Sequence, residues 1–393
     1  VSVKLQDKNL IYEGSVKRVF KNADGNLLFQ YTDDYSVFDW GKMPDTIANK
    51  GRALAIMGAH FFNYLADAKN WLSLPNSLHL KRFNQVWLKE RFAHRTYSTQ
   101  LIKHGVRSHY INLVDEENKP MALKDATDNS PYLSVIEASV IRPKPVVLAN
   151  QNVYYYEPLS ESEPAQPRLV PLEVIFRFGM PAGSSLKGRL EKDPSYAKIL
   201  GLDSIPEENS WFDKPVIEFF TKLEDKDRLL SAQEALTISG LKPERFEDLV
   251  EIALSLAIAL FVLFAERGIE LWDGKFEFAV DKNGLLLVDS IGPDELRLIY
   301  KGVHLSKEMI RQVYRGSSWE KAIKEAQTIA KQKGRTDWKE ICRKDLKEEP
   351  KQLPAKDKAM IDQLYGVIVN QLVGAEIFAN QPTLDEFVAM VKA

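Results

Sequence analysis

Apolar and polar residues alternate through VKRVF and NLLFQY between positions 10 and 31, with Gly14 and Asp24-Gly25-Asn26 interrupting them. That period of two predicts a small sheet of short strands joined by tight turns. The rhythm then lengthens. Leu54, Met57, Phe61, Phe62 and Leu65 recur at helical spacing and predict a helix over 49–70, with Trp71 beyond it. VPLEVIFRF at 170–178 predicts a strand. EIALSLAIALFVLFAERG predicts a buried helix over 245–267, because its charge-free centre, 252–265, is shorter than the roughly 20 residues that cross a bilayer. Further helices are expected over 306–333 and 356–379, and polar stretches at 115–131 and 151–167 read as surface excursions, the second a long loop where two lobes meet. Strands and helices are partly segregated, so the pattern favours an α+β fold over a regular βαβ repeat.

One stretch carries more charge than its strand pattern needs. GIELWDGKFEFAVDKNGLLLVDSIGPDELRL, 268–298, reads as a hairpin with strands at 276–280 and 285–288. Lys275 and Glu277 share one face of the first strand, and Phe276, Phe278 and Val280 the other. A three-residue loop, Lys282-Asn283-Gly284, with Gly284 left-handed, would pair 281 with 285 and so set Glu277 opposite Asp289; a loop of two or four residues would separate their faces. Two facing carboxylates suit magnesium, which takes one or two carboxylates plus phosphate oxygens. The alternative is a solvated strand face in which Lys275 simply pairs with Glu277 or Asp289, worth about 0–1 kcal/mol per pair.

Two other segments could meet a phosphate. IYEGSVKRVF sets Gly14 beside Lys17 and Arg18 in a hairpin that could cover nucleotide phosphates, and GMPAGSSLKGRL offers backbone N–H groups and hydroxyls in a turn followed by basic residues. Plain structural roles compete with each: Ser184 could cap the following helix, Arg177 could pair with an acid at a strand edge, and Asp294 after Pro293 could start a turn.

The totals narrow the classes. Lys plus Arg number 53 against 55 Asp plus Glu in 393 residues, a formal net charge of -2, so no nucleic-acid partner is expected. Nor is a membrane partner expected. Cys342 is the single cysteine, which excludes an intrachain disulfide and a thiolate zinc cluster and fits a reducing, cytoplasmic setting. VSVKLQDKNL lacks the apolar centre of a secretion signal. The histidines His60, His79, His94, His104, His109 and His304 show no zinc-protease spacing. Tyr154, Tyr155 and Tyr156 have no basic run beside them and read as packing in an inserted loop.

Taken in order, these segments resemble the phosphoribosylaminoimidazole-succinocarboxamide synthase (SAICAR synthetase) family over most of 10–315. IYEGSVKRVF resembles its glycine-lysine phosphate loop. TDDYSVFDWGKMPDTIANKG is similar to its Asp-x-x-Ser-x-x-Asp segment followed by Lys-Gly, here Asp33, Ser36, Asp39, Lys50 and Gly51. EVIFRFGMPAGSSLKGRL resembles its strand, arginine and Ala-Gly-Ser turn, matching Arg177, Gly183 and Ser184. PVIEFFTKLEDKDRLLS brings in Lys222 and Asp227, and the charged hairpin matches an Asp-x-Lys-x-Glu-Phe strand, a returning Asp and a Pro-Asp-x-x-Arg signature. The chain departs from the pattern at Ser15, where lysine is common, Lys226 for histidine, Ser290 for glutamate and Leu296 for serine. It also carries extra sequence around 115–131 and 149–168 and a larger C-terminal part.

The resemblance implies a two-lobed α+β fold with an ATP cleft, divided into a β-rich nucleotide-binding lobe at 1–148, an inserted loop at 149–168 and a larger catalytic lobe at 169–393. It implies ATP-dependent ligation of L-aspartate to carboxyaminoimidazole ribonucleotide through an acyl phosphate, giving SAICAR, ADP and phosphate in purine biosynthesis. Implied catalytic positions are Lys222, Asp227, Asp273 and Lys275. ATP would meet Gly14, Lys17, Lys222 and Glu277; the other substrates would meet Asp39, Arg177, Gly183, Ser184, Asp294 and Arg297; Glu277 and Asp289 would hold magnesium. A homo-oligomer stays open. The four departures keep three alternatives in view: a ligase for another carboxylate or amine, a small-molecule kinase, and a noncatalytic nucleotide-binding protein.

Overall fold

Gly14 and Gly25 punctuate the first strands as the alternation expects. In the computed structural model, which describes residues 9–126, 131–159 and 164–393, the Gly14 N–H donates to the Lys17 carbonyl (2.8 Å), and the Asn22 side chain accepts from the N–H groups of Asp24 (3.1 Å) and Asn26 (2.9 Å). Gly25, at φ +83°, takes the left-handed position. Residues 127–130 and 160–163, within the two expected surface excursions, and residues 1–8, within the N-terminal stretch, lie outside the described residues.

Two compact units form. The first gathers Val1–Ala59, Asn112–Ser134 and Tyr300–Ala393; the second gathers His60–Ile111 and Val135–Ile299. Each is assembled from separated stretches, whereas the segments expected at 1–148, 149–168 and 169–393 are contiguous.

The first unit is built on strands β1 (Leu10–Glu13), β2 (Lys17–Lys21), β3 (Leu27–Tyr31), β4 (Tyr110–Val114) and β5 (Tyr132–Val135), in the order β1-β2-β3-β5-β4. Phe20, Leu28, Val114 and Tyr132 form its apolar cluster. C-terminal helices pack on the 35–50 segment. Tyr35 Oη donates to Asp45 Oδ1 (2.5 Å) and lies 2.8 Å from Tyr314 Oη, the Ala48 N–H donates to Asp362 Oδ1 (2.8 Å), and Trp40 meets Trp319 edge-on at 5.5 Å. The helix expected over 306–333 is two, Lys307–Tyr314 and Ser318–Gln332, parted at Gly316 with φ +75°. The helix expected over 49–70 is likewise split into Lys50–Ala66 and Ala68–Ser73, because Asp67 turns extended and its side chain caps the Lys69 N–H.

The second unit holds a hairpin, β6 (Lys144–Leu148) with β7 (Gln151–Tyr155), then β8 (Arg168–Leu169), β9 (Leu172–Met180), β10 (Ser210–Thr221), β11 (Leu229–Leu230), β12 (Glu270–Asp281), β13 (Gly284–Val288) and β14 (Leu296–Tyr300). Its main sheet runs β11-β10-β9-β12-β14, with β8 and β13 also pairing β12. The β6–β7 hairpin corrects the long loop expected from 151: Ala149 (φ +49°) and Asn150 (φ +63°) make a turn with two left-handed residues, whose twist suits a two-residue hairpin.

Alternation along β9 and β12 divides this sheet into two chemical faces. Val174, Phe176 and Phe178 of β9 and Phe276 and Phe278 of β12 are buried, with Phe178 4.9 Å from Phe261 of the helix Pro243–Ala265. That helix is the buried core element its composition predicts, and each fully buried large apolar side chain stabilises the fold by roughly 1.5–3 kcal/mol. The intervening positions, Glu173 and Arg177 of β9 and Asp273, Lys275 and Glu277 of β12, share the opposite face.

Candidate functional site

Strand registry puts the charges together. β12 pairs with β9 so that Asp273 lies across from Arg177 and Lys275 from Ile175, while β10 sets Val216 across from Arg177 and Phe220 across from Glu173. Charged residues two apart therefore line up into two clusters.

The first cluster is lysine and carboxylate. Lys222, which follows β10, donates through Nζ to Glu277 Oε1 (2.6 Å) and Glu173 Oε1 (3.2 Å), and Lys275 Nζ donates to Glu173 Oε1 (2.6 Å) and Glu277 Oε1 (3.4 Å). Burial, then the charge of Asp289, pushes the Glu277 carboxyl up to about 7, against the pull of both lysines. Burial works the same way on Glu173, but Lys275 and Lys222 outweigh it and hold that carboxyl below its usual range. Burial would lower both ammonium groups; the surrounding carboxylates, Glu277 foremost, raise them instead. Three carboxylates thus share two ammoniums, and in the most buried of them, Glu277, the neutral, protonated form is favoured. Asp227 feels the same cluster: burial and then the Glu173 charge raise its pKa.

The hairpin reaches this arrangement by a different register from the expected one. Glu277 pairs with Val288, and Asp281 with Gly284, so the loop is Lys282-Asn283. Asp281 sets the turn: Arg107 holds its carboxylate with two bonds (3.1 and 2.9 Å), and its Oδ1 accepts the Asn283 N–H at 2.8 Å. Asp289 then leaves the strand with φ +63°, breaking the alternation that would have turned its side chain from Glu277. His109 frames that bend. Its Nε2 lies 3.1 Å from the Asp289 carbonyl oxygen, its backbone N–H donates to Leu287 (3.0 Å), and its ring tilts on Phe62 at 5.5 Å.

The second cluster is arginine and carboxylate. Arg177, 4% exposed, donates to Glu218 Oε2 (2.5 Å) and Asp273 Oδ2 (2.9 Å), and reaches Ser184 Oγ (3.5 Å) and Ser185 Oγ (3.4 Å). Arg189 Nη2 adds bonds to both Glu218 oxygens (2.8 and 2.9 Å) and Tyr196 Oη a third (2.8 Å). Arg297 Nε lies 3.3 Å from Asp273 Oδ1 and its Nη1 donates to the Ala182 carbonyl. Gly183 turns with φ +73°, letting Ser184 cap the helix Ser185–Lys192 while facing Arg177.

Among the expected site residues, Lys222, Asp227, Lys275, Glu277 and Asp289 gather in the first cluster, and Asp273, Arg177, Ser184 and Arg297 in the second, with Gly183 in the adjoining turn. Asp294 sits half-buried in the turn before β14, where the Glu295 carbonyl accepts the Lys275 N–H at 3.2 Å. Gly14, Lys17 and Asp39 belong to the other unit, where Lys17 Nζ stands 4.2 Å above the Phe29 ring and Asp39 is left-handed at φ +58°. Sequence reasoning missed Glu173 and Glu218. Each had a signal: Glu173 shares a strand face with Arg177, and Glu218 is the lone charge in PVIEFF.

The donor set suits magnesium. Among the described residues no group of three or more ligating side chains occurs, but that cation needs one or two carboxylates when phosphate oxygens and water complete its shell. Glu277 and Asp289 would supply them, and the Asp289 charge that helps raise the Glu277 pKa is one a cation would offset. The lysines and the arginine cluster put cationic groups, each held on a carboxylate, on one face of the sheet. An α+β fold with lysines, arginines and carboxylates gathered on one sheet face holds the groups that a phosphate-handling enzyme uses.

Comparison with known proteins sharpens that class. The SAICAR synthetase family model matches residues 10–328. A putative phosphoribosylaminoimidazole-succinocarboxamide synthase of Archaeoglobus fulgidus is 31% identical over 366 residues, 93% of this chain and 92% of the relative, and a phosphoribosylaminoimidazole-succinocarboxamide synthase of Thermoplasma acidophilum is 27% identical over 81% of this chain and 87% of its own. The SAICAR synthase of Saccharomyces cerevisiae, solved with SAICAR, matches with a TM-score of 0.54 at 19% identity, over 97% of this chain and all of that one; that likeness bears on the fold. The chain belongs to the SAICAR synthetase family.

Proposed function

We propose that the chain joins L-aspartate to carboxyaminoimidazole ribonucleotide at the expense of ATP, forming SAICAR, ADP and phosphate. Family membership makes it an ATP-dependent carbon–nitrogen ligase; the paired lysines on Glu173 and Glu277, beside Asp289, carry the residue assignment.

Hydroxide is a poor leaving group, so the substrate carboxylate is activated first. A carboxylate oxygen attacks the γ-phosphorus of ATP, the bond to the bridging oxygen breaks, and ADP leaves. The aspartate amine then attacks the acyl carbon, loses a proton, and phosphate departs. Lys222 and Lys275 neutralise charge gathering on the phosphoryl oxygens, a contribution larger in the transition state than in the ground state. Glu277 and Asp289 would hold magnesium, which supplies further charge neutralisation at those oxygens. Arg177, Ser184, Gly183, Asp294 and Arg297 orient the ribonucleotide, and Asp273, bonded to Arg177 and near Arg297, keeps both guanidiniums in place. Asp227 flanks the lysines; Gly14 and Lys17 are assigned to ATP and Asp39 to substrate on the family pattern alone. On this reading the enzyme works in a reducing cytoplasm, where its buried Cys342 stays a thiol.

The deciding experiment incubates the purified protein with ATP, magnesium, carboxyaminoimidazole ribonucleotide and aspartate, omitting each in turn. SAICAR formation that needs all four supports the reading. ADP release without aspartate, with the phosphoryl group kept on another product, points to a kinase, and nucleotide binding without turnover to a noncatalytic protein.

A further inference from the structure

The β6–β7 hairpin reaches the loop that bears Lys222. Tyr156 Oη donates to Glu224 Oε1 (2.5 Å), and the Asp225 N–H donates to Tyr154 Oη (3.2 Å). Glu224's side chain is 3% exposed, and its other oxygen lies 3.3 Å from Arg228 Nε. The loop itself is short and bent. It leaves β10 at Thr221, passes Leu223 at φ +76°, and closes where the Arg228 N–H meets Thr221 Oγ1 (3.0 Å) and the Arg228 carbonyl accepts the Thr221 N–H (3.0 Å). A left-handed leucine costs on the order of 1–3 kcal/mol and persists only where surrounding contacts hold it. Those contacts come from the two tyrosines at the tip, the Thr221–Arg228 closure at the base and the Lys222 N–H, which donates to the Pro171 carbonyl (3.1 Å). Behind the tyrosines, the returning chain is pinned by Arg168 of β8, whose Nη2 donates to the Glu157 carbonyl (2.6 Å) and Nη1 to that of Pro158 (3.2 Å). β8 pairs with β12 at Ala279 and Val280, two and three residues beyond Glu277. The hairpin is therefore tied both to the strand carrying Glu277 and to the loop carrying Lys222.

We propose that Tyr156 and Tyr154 are positioning residues for this loop: through Glu224 and the Asp225 N–H they hold the Lys222–Arg228 bend so that the Lys222 ammonium stays on Glu277 and Glu173. The inference rests on the reading of Lys222 as an ATP contact. Burial and the bond to Glu224 both keep the Tyr156 hydroxyl protonated, so it remains a donor across neutral pH. The two tyrosine bonds fall on Glu224 and Asp225, so their effect on Lys222 passes through the loop.

The test compares Tyr156→Phe, Tyr154→Phe and Glu224→Gln in the full chain by amide hydrogen exchange and by steady-state kinetics with each substrate varied, with Lys222→Ala as the control. Tyr154→Phe is expected to speed exchange at the Asp225 amide. Tyr156→Phe is expected to raise KM for ATP by roughly ten-fold, the scale of one charge-assisted hydrogen bond, while KM for carboxyaminoimidazole ribonucleotide and for aspartate stays within about two-fold. Tyr156→Phe combined with Glu224→Gln should be little worse than Glu224→Gln alone, since that change weakens the Tyr156 bond as well as the Arg228 ion pair. Unchanged exchange over 222–228 in all three variants overturns the inference. So does faster exchange with an unaltered KM for ATP while Lys222→Ala raises it, or an equal rise in KM for all three substrates. If Lys222→Ala also leaves KM for ATP unchanged, the Lys222 reading falls and the inference with it.

Discussion

Glu277 faces Val288 across the hairpin, yet the carboxylate that most disturbs it is the next residue, Asp289, brought round by a left-handed backbone at φ +63°. Burial first, and that charge second, push the Glu277 carboxyl up to about 7, so stability depends on pH in the metal-free protein. Below about 4.5 the group is protonated folded and unfolded, and contributes nothing. Between 4.5 and about 7 the folded state keeps a proton the unfolded state has released, so stability falls as pH rises. Asp227, also raised, acts in the same direction, whereas Glu173 and Glu218, both lowered, lose their contribution only as pH drops through and below the ordinary carboxylate range. Urea unfolding in chelator at several pH values from 4.5 to 7.5 should show the decline, with a slope of no more than about 1.4 kcal/mol per pH unit for one proton. Glu277→Gln should flatten it; an equally steep decline in that variant would remove Glu277 as the cause.

On the proposed assignment the same pair would govern metal use. Glu277→Gln should lower kcat by at least about 100-fold, because a carboxylate that would hold the charge-neutralising cation is gone. Asp289→Asn should raise the magnesium concentration for half-maximal turnover by about ten-fold or more. Magnesium titrations at saturating ATP distinguish the two, and wild-type curves from both variants would exclude their role as ligands.

Period-two alternation made the charged face of β12 legible, and the same rule extended to β9 would have added Glu173. The register was not legible. Gly284 takes a positive φ, +112°, in the observed two-residue loop, and a left-handed Gly284 was also what the three-residue loop asked for, so the glycine could not choose between them. Asp281 chose, through Arg107, a residue 174 positions away whose approach no local pattern announces. The left-handed Asp289 was equally hidden, since aspartate tolerates that conformation without requiring it. Unit boundaries were hidden for the same reason: the bond from the Ala48 N–H to Asp362 spans 314 positions.

Arg177 should matter first for the fold. With Glu218 at 0% side-chain exposure, Arg177→Ala leaves a buried carboxylate short of a partner and should destabilise the protein by about 3–5 kcal/mol. Arg177→Lys should recover little of this, because one ammonium cannot reproduce a fork that meets Glu218, Asp273 and two serines. Denaturant midpoints measure it; a loss below about 1 kcal/mol for the alanine variant would contradict the picture.

Gly274 separates Asp273 of one cluster from Lys275 of the other, and it points to the apolar face they both turn from. A Cβ there would lie 2.5 Å from Leu296 Cδ2 and 2.7 and 2.8 Å from the Phe176 ring. Leucine's terminal methyl can swing away cheaply. Phe176 cannot, being stacked on Phe276 at 4.9 Å and set edge-on to Phe178 at 5.6 Å. Gly274→Ala should therefore cost about 1–3 kcal/mol by overpacking, lowering the melting temperature by roughly 2–4 °C for each kcal/mol in a unit of this size. Leu296→Val in the same chain should restore only a small part, since the ring stays in place, whereas Phe176→Leu should restore more. Full rescue by Leu296→Val would show that Leu296, and not the Phe176 stack, is what requires glycine between the two charged positions.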